Sequence, residues 1–105
     1  MPHLEVSSAA ERDLRRIGAG AQLDRIERAL KRLSEDAPNL DIRALTGHAP
    51  WLRLRVGEHR IVYRRLSATE LDSLTETGRP VGAASGYLIH RVVNRRDLEH
   101  AIGSL

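Results

Sequence analysis

Between residues 51 and 66 the chain reads WLRLRVGEHRIVYRRL, with apolar and cationic side chains alternating on either side of Gly57-Glu58. Period-two alternation broken by a short turn predicts a β-hairpin. A two-residue turn sets Val56 opposite His59 and pairs Arg55 with Arg60, Leu54 with Ile61, Arg53 with Val62 and Leu52 with Tyr63. One face of the ribbon then carries Leu52, Leu54, Val56, Ile61 and Tyr63, and the other carries Arg53, Arg55, Arg60 and Arg64. Like charges directly across a strand pair are destabilising, by up to ~1 kcal/mol. Two readings fit such a face: the solvated side of a half-buried sheet, or a surface that meets an anion.

The remaining pattern supplies the layers around this hairpin. Residues 3–6 alternate and predict a first strand with Leu4 and Val6 inward. Ser8 and Glu11 have the spacing of a capping box, and Ala10, Leu14 and Ile17 then share one helical face. Gly18-Ala19-Gly20 interrupts that helix, and Leu23, Ile26, Leu30 and Leu33 predict a second. The pair forms an αα-hairpin whose apolar stripes need a sheet to cover; the charges from Arg12 to Arg32 read as solvated surface. Pro38 ends the second helix by disfavouring helical geometry at Ala37. Residues 40–50 predict a connecting loop anchored by Leu45, and 67–86 an exposed insertion in which Leu71 and Leu74 support one helical turn. Residues 87–93 read as a strand. Asn94 then caps a short terminal helix with Leu98, Ala101 and Ile102 on one side, which brings Arg95 and Arg96 towards the arginine face.

Composition narrows the class. The chain of 105 residues is expected to form one domain, with enough core to fold without cross-links. It has no cysteine, which removes disulfides and thiolate metal sites, and no histidine pair has ligand spacing. No apolar run is long enough to span a bilayer and no signal segment is visible, so a cytoplasmic protein without membrane partners is expected. The net charge of +3 is unevenly spread. Residues 51–66 and 87–105 together hold eight arginines against Glu58, Asp97 and Glu99. Arginine is suited to bidentate contact with phosphate. Aromatic residues are scarce, which argues against a base-stacking platform. Trp51 and Tyr63 read as core residues, Trp51 with one exposed edge, and His59 and His90 as sheet residues.

The order β-α-α-β-β-β, the string L-R-V-G-x-x-R-x-V-Y at Leu54, Arg55, Val56, Gly57, Arg60, Val62 and Tyr63, and the closing VVNRRDLEHAI resemble the RelE/ParE superfamily of bacterial toxins. The resemblance covers nearly the whole chain except 67–86. It implies an α+β fold: a small antiparallel sheet with the N-terminal helical hairpin on one face and a short C-terminal helix. It further implies an antitoxin that wraps the basic surface, with one of its elements crossing Arg53, Arg55 and Arg60. RelE-branch relatives enter the ribosome and cleave messenger RNA without metal or other cofactor, whereas ParE-branch relatives poison DNA gyrase. The leading expectation is therefore the toxin of a type II toxin–antitoxin module acting as a ribosome-dependent messenger RNA endoribonuclease. The alternatives are a gyrase inhibitor without nuclease activity, or a fold relative that only binds an antitoxin.

Cleavage of RNA by protein groups needs a base for the 2′-hydroxyl, cations for the crowded phosphate and an acid for the departing 5′-oxygen. By the resemblance, the family's basic strand positions fall on Arg53, Arg55 and Arg60, and its basic position after the last strand on Arg95 or Arg96. Arg64 and Arg91 join the first three as RNA-binding candidates. Where RelE-branch relatives place a tyrosine beyond the last strand, this chain has Glu99 and His100, which become the candidate base and acid.

Overall fold

The computed structural model describes residues 2–76 and 85–105; the part of the expected insertion at 77–84 lies outside them. The strands are β1 (His3–Val6), β2 (Ile42–Ala44), β3 (Leu52–Val56), β4 (His59–Arg65) and β5 (Gly86–Asn94). The helices are α1 (Ser8–Ile17), α2 (Ala21–Ser34), α3 (Ala68–Glu76) and α4 (Leu98–Ile102), the last entered through a 3-10 turn at Arg95–Asp97. One five-stranded sheet runs in the order β1-β5-β4-β3-β2.

The central hairpin has the register that alternation predicts: Leu52 faces Tyr63, Arg53 Val62, Leu54 Ile61, Arg55 Arg60, and Val56 His59. Gly57 makes this possible with φ 59°, a left-handed conformation that costs a residue without Cβ nothing. α1 and α2 pack on the apolar face, where Ala10, Ile26, Leu30 and Leu33 meet Leu54, Ile61, Tyr63, Tyr87, Ile89 and Val92. The α+β architecture with a helical hairpin on one face of the sheet is as expected.

Four details differ. The sheet is mixed, because β1 runs parallel to β5 at its edge while the other three pairings are antiparallel. Gly86 permits this close pairing, since a Cβ there would lie 2.8 Å from the His3 carbonyl oxygen. The expected loop at 40–50 contains β2, a short edge strand whose three residues are all exposed and so give little hydrophobic signal. The cap of α1 is Ser7, not Ser8: its Oγ accepts from the Ala10 amide at 3.0 Å and donates to the His90 carbonyl at 2.7 Å. The start of the expected insertion is a nine-residue helix, α3. There Ser67 and Glu70 form the reciprocal capping box, the Ser67 amide donating to Glu70 Oε1 and the Glu70 amide to Ser67 Oγ.

The face away from α1 and α2 is not uniformly polar. Val62 and Val93 are buried there, on the side where α4 packs against β5 and buries Ala101. His90 is the extra residue of a β-bulge: Val62 pairs with Arg91 and Tyr63 with Ile89, which leaves His90 between them without a partner in the register. The arginine-rich end of this face lies at the hairpin turn, and Trp51, just before β3, lies towards its other end.

Candidate nucleic-acid interface

Arginines collect at the hairpin end because strand alternation puts them there in register. Arg43 on β2 lies directly across from Arg53 on β3, and Arg55 across from Arg60 on β4, all on the face opposite α1 and α2. Arg53 is half-enclosed, with Nη1 donating to the Asp41 carbonyl at 3.0 Å and to Asp41 Oδ1 at 3.1 Å. That hydrogen bond, helped by the charges of Arg53, Arg43 and Arg55, holds the Asp41 carboxyl below the usual carboxylate range. Arg60 Nη1 donates to the carbonyls of Gly57 and His59, which pins the guanidinium over the turn. Partial burial lowers its pKa, and repulsion from Arg55, Arg53 and Arg95 adds to the effect. Arg55 is exposed and, among the described residues, has no carboxylate partner.

The chain after β5 contributes less directly. Asn94 caps the 3-10 turn as expected, its Oδ1 accepting from the Arg96 amide at 3.2 Å and from Arg96 Nε at 3.3 Å. Arg95 reaches back to the turn and bridges Glu58 at 2.9 Å, with both side chains mostly exposed. Arg96 is exposed beside its cap.

Glu99 and His100, adjacent in sequence, face different clefts. Glu99 lines an opening of about 340 Å³ together with Arg43, His48, Arg53 and Leu98. His100 lines one of about 580 Å³ on the edge of β5, with Asp13, Arg16, His59 and Arg91. Of this pair, therefore, only Glu99 joins the arginine rows. Arg43 and His48 were missing from the expected site because both lie in the stretch read as a loop. The Ile42-Arg43-Ala44 alternation is the one signal that could have marked Arg43, and it is too short to stand alone.

Arg64 and Arg91 sit apart from the cluster. Arg91 is folded onto the buried carboxylate of Asp13 on α1, with Nε to Oδ2 at 2.8 Å and Nη2 to Oδ1 at 3.1 Å. Arg64 makes a two-pronged pair with Glu70 of α3 at 2.7 and 2.8 Å and stacks on Trp51, 5.4 Å from the ring centre. On the same end of the sheet His90 lies 5.0 Å from Trp51, and burial, then the charges of Arg91 and Arg64, push its pKa down. Tyr63 is in the core, against the edge of Tyr87, and burial pushes its hydroxyl up to about 12. Among the described residues, no three His, Cys, Asp or Glu side chains converge where a metal ion could be held.

Residues 4–76 match the family described as the ParE toxin of the type II toxin–antitoxin system parDE. The chain belongs to this toxin family. The match runs from β1 to the end of α3 and includes both arginine rows. Among solved structures, the toxin is similar in fold to a chain of the RelB–RelE antitoxin–toxin complex from Methanococcus jannaschii. The TM-score is 0.63 at 17% identity, over 91% of this chain and 95% of that one. No curated protein matches the toxin. Among its described residues, no helix is long and apolar enough to cross a membrane.

Proposed function

We propose that the toxin cleaves messenger RNA on the ribosome, with the scissile phosphate in the cleft formed by Arg43, His48, Arg53 and Glu99. The observation that carries this reading is the convergence in one cleft of two guanidinium groups, an imidazole and a carboxylate. Glu99 takes the proton of the 2′-hydroxyl as its oxygen attacks phosphorus. Arg43 and Arg53 stabilise the extra negative charge on the phosphate. His48 gives a proton to the 5′-oxygen as the P–O5′ bond breaks. The products are a 2′,3′-cyclic phosphate and a 5′-hydroxyl. Arg55 and Arg60, one row along the sheet, hold a neighbouring phosphate, and Arg95 and Arg96 flank that row.

The test is to map RNA 5′ ends after the toxin is induced in growing cells. Messages cut at preferred codons, with 5′-hydroxyl ends, support the proposal. A second reading, inhibition of DNA gyrase in the manner of the ParE branch, is favoured by the family match over residues 4–76. It predicts DNA breaks and SOS induction with messages intact, so one induction experiment separates the two.

A further inference from the structure

The cleft of about 580 Å³ on the edge of β5 has no part in the RNA reading, yet polar groups from four elements converge in it. Arg16 comes from α1, Gln22 from α2, His59 from the start of β4 and His100 from α4. His59 is only 8% exposed, and its side chain forms no hydrogen bond among the described residues. Every fully enclosed side-chain nitrogen or oxygen among those residues has a partner, so the His59 ring nitrogens reach into the cleft. Burying a polar ring without an internal partner is unfavourable unless a group in the cleft bonds to it.

The start of α2 borders the same cleft through Gln22, in its first turn. Gly20 at the cap position supplies no side-chain hydrogen bond, and the first intrahelical bond runs from the Asp24 amide to the Gly20 carbonyl. The amides of Ala21, Gln22 and Leu23 are therefore without helical partners, at the positive end of a helix of 14 residues. Arg16 is exposed and forms no ion pair among the described residues. Of the two carboxylates lining the cleft, Asp13 has both oxygens engaged by Arg91 and the Val92 amide. The other, Asp97, is exposed and makes no capping hydrogen bond.

Donors thus outnumber free acceptors, which suits an anion with several oxygens. A phosphate group fills only part of such a volume, and Ile17, Val92 and Ala101 give the remainder an apolar wall for an organic body. We propose that this cleft binds a small organic phosphate of mononucleotide size, its phosphate held by Arg16, the first amides of α2 and the imidazoles of His59 and His100. The site is independent of the proposed RNA cleft, which Glu99 lines from the same short helix.

The experiment titrates the full-length toxin with adenosine 5′-monophosphate and, separately, with inorganic phosphate, by calorimetry and by the histidine ring signals in NMR. The nucleotide should bind more tightly than inorganic phosphate and should move the signals of both His59 and His100. Arg16→Gln should weaken nucleotide binding at least fivefold, whereas Asp97→Asn, which removes the one free carboxylate, should strengthen it severalfold. Both positions are exposed, and thermal unfolding checks that the variants fold. Affinity for a short single-stranded RNA should be the same in Arg16→Gln as in the parent. The proposal is overturned if neither phosphate binds at millimolar concentration, if the two histidine signals stay fixed, or if both variants keep nucleotide affinity within twofold. Weaker RNA binding by Arg16→Gln with nucleotide affinity unchanged overturns it as well, because the cleft then belongs to an RNA strand.

Discussion

Asp13 on α1 grips Arg91 on β5 with two hydrogen bonds and also accepts the Val92 amide at 2.9 Å, where β5 extends past the end of β1. One side chain thus satisfies a backbone donor on a free strand edge and ties the helical layer to the sheet. Asp13 is only 4% exposed, so its removal strands both a guanidinium and an amide. Asp13→Ala is expected to lower stability by about 3–5 kcal/mol in urea unfolding. Asp13→Asn, which keeps an acceptor for Val92, should cost less than the alanine variant.

Arg64 and Glu70 join α3 to the sheet, and the pairing leaves a pH signature. The two-pronged hydrogen bond from Arg64 comes first among the causes that bring Glu70 down to about 2 from its ordinary value near 4.5. A depressed carboxylate stabilises the fold above its unfolded pKa, and that contribution is lost as pH falls through the folded one. The window is therefore from about 4.5 to about 2. The Glu70 side chain is 37% exposed, so screening keeps the effect near the upper end for surface pairs, about 1 kcal/mol. Glu70→Gln should lower the melting temperature at pH 7 and flatten its decline across that acid window. An acid limb identical in both proteins would show that the pair contributes nothing.

Arg55 faces Arg60 directly across the hairpin, a pairing that costs the fold rather than helping it. Arg55→Gln should raise unfolding stability by up to ~1 kcal/mol. It should also weaken RNA binding and reduce the dependence of that binding on salt by roughly one phosphate contact. A variant that is neither more stable nor weaker in binding would show that the repulsion is relieved by solvent and that the row has no bound anion.

The hairpin was legible in the sequence because two alternating runs and a glycine turn leave a single sensible register, and the structure reproduces all five of its pairs. The helices α1 and α2 were legible for the same reason, having long periodic stripes. What sequence could not supply was the use of each arginine. Arg53, Arg64 and Arg91 read alike, yet Asp41, Glu70 and Asp13 engage them from 12, 6 and 78 residues away, and no local pattern encodes such partners. Glu99 and His100 parted for a simpler reason: neighbouring residues on a helix point about a quarter-turn apart, so one side of α4 faces the arginine rows and another faces the β5 edge.

The claim that the toxin cuts RNA in the cleft of Arg43, His48, Arg53 and Glu99 is tested most directly by Glu99→Gln/His48→Gln. Both residues are exposed, so the variant's thermal unfolding should match the parent's and serve as the control for folding. Cleavage of messenger RNA on translating ribosomes, measured from mapped 5′ ends, should fall on the order of 10²–10⁴-fold, the range supplied by acid–base catalysis. Cleavage at the parent rate in a variant with unchanged thermal unfolding would contradict the assignment.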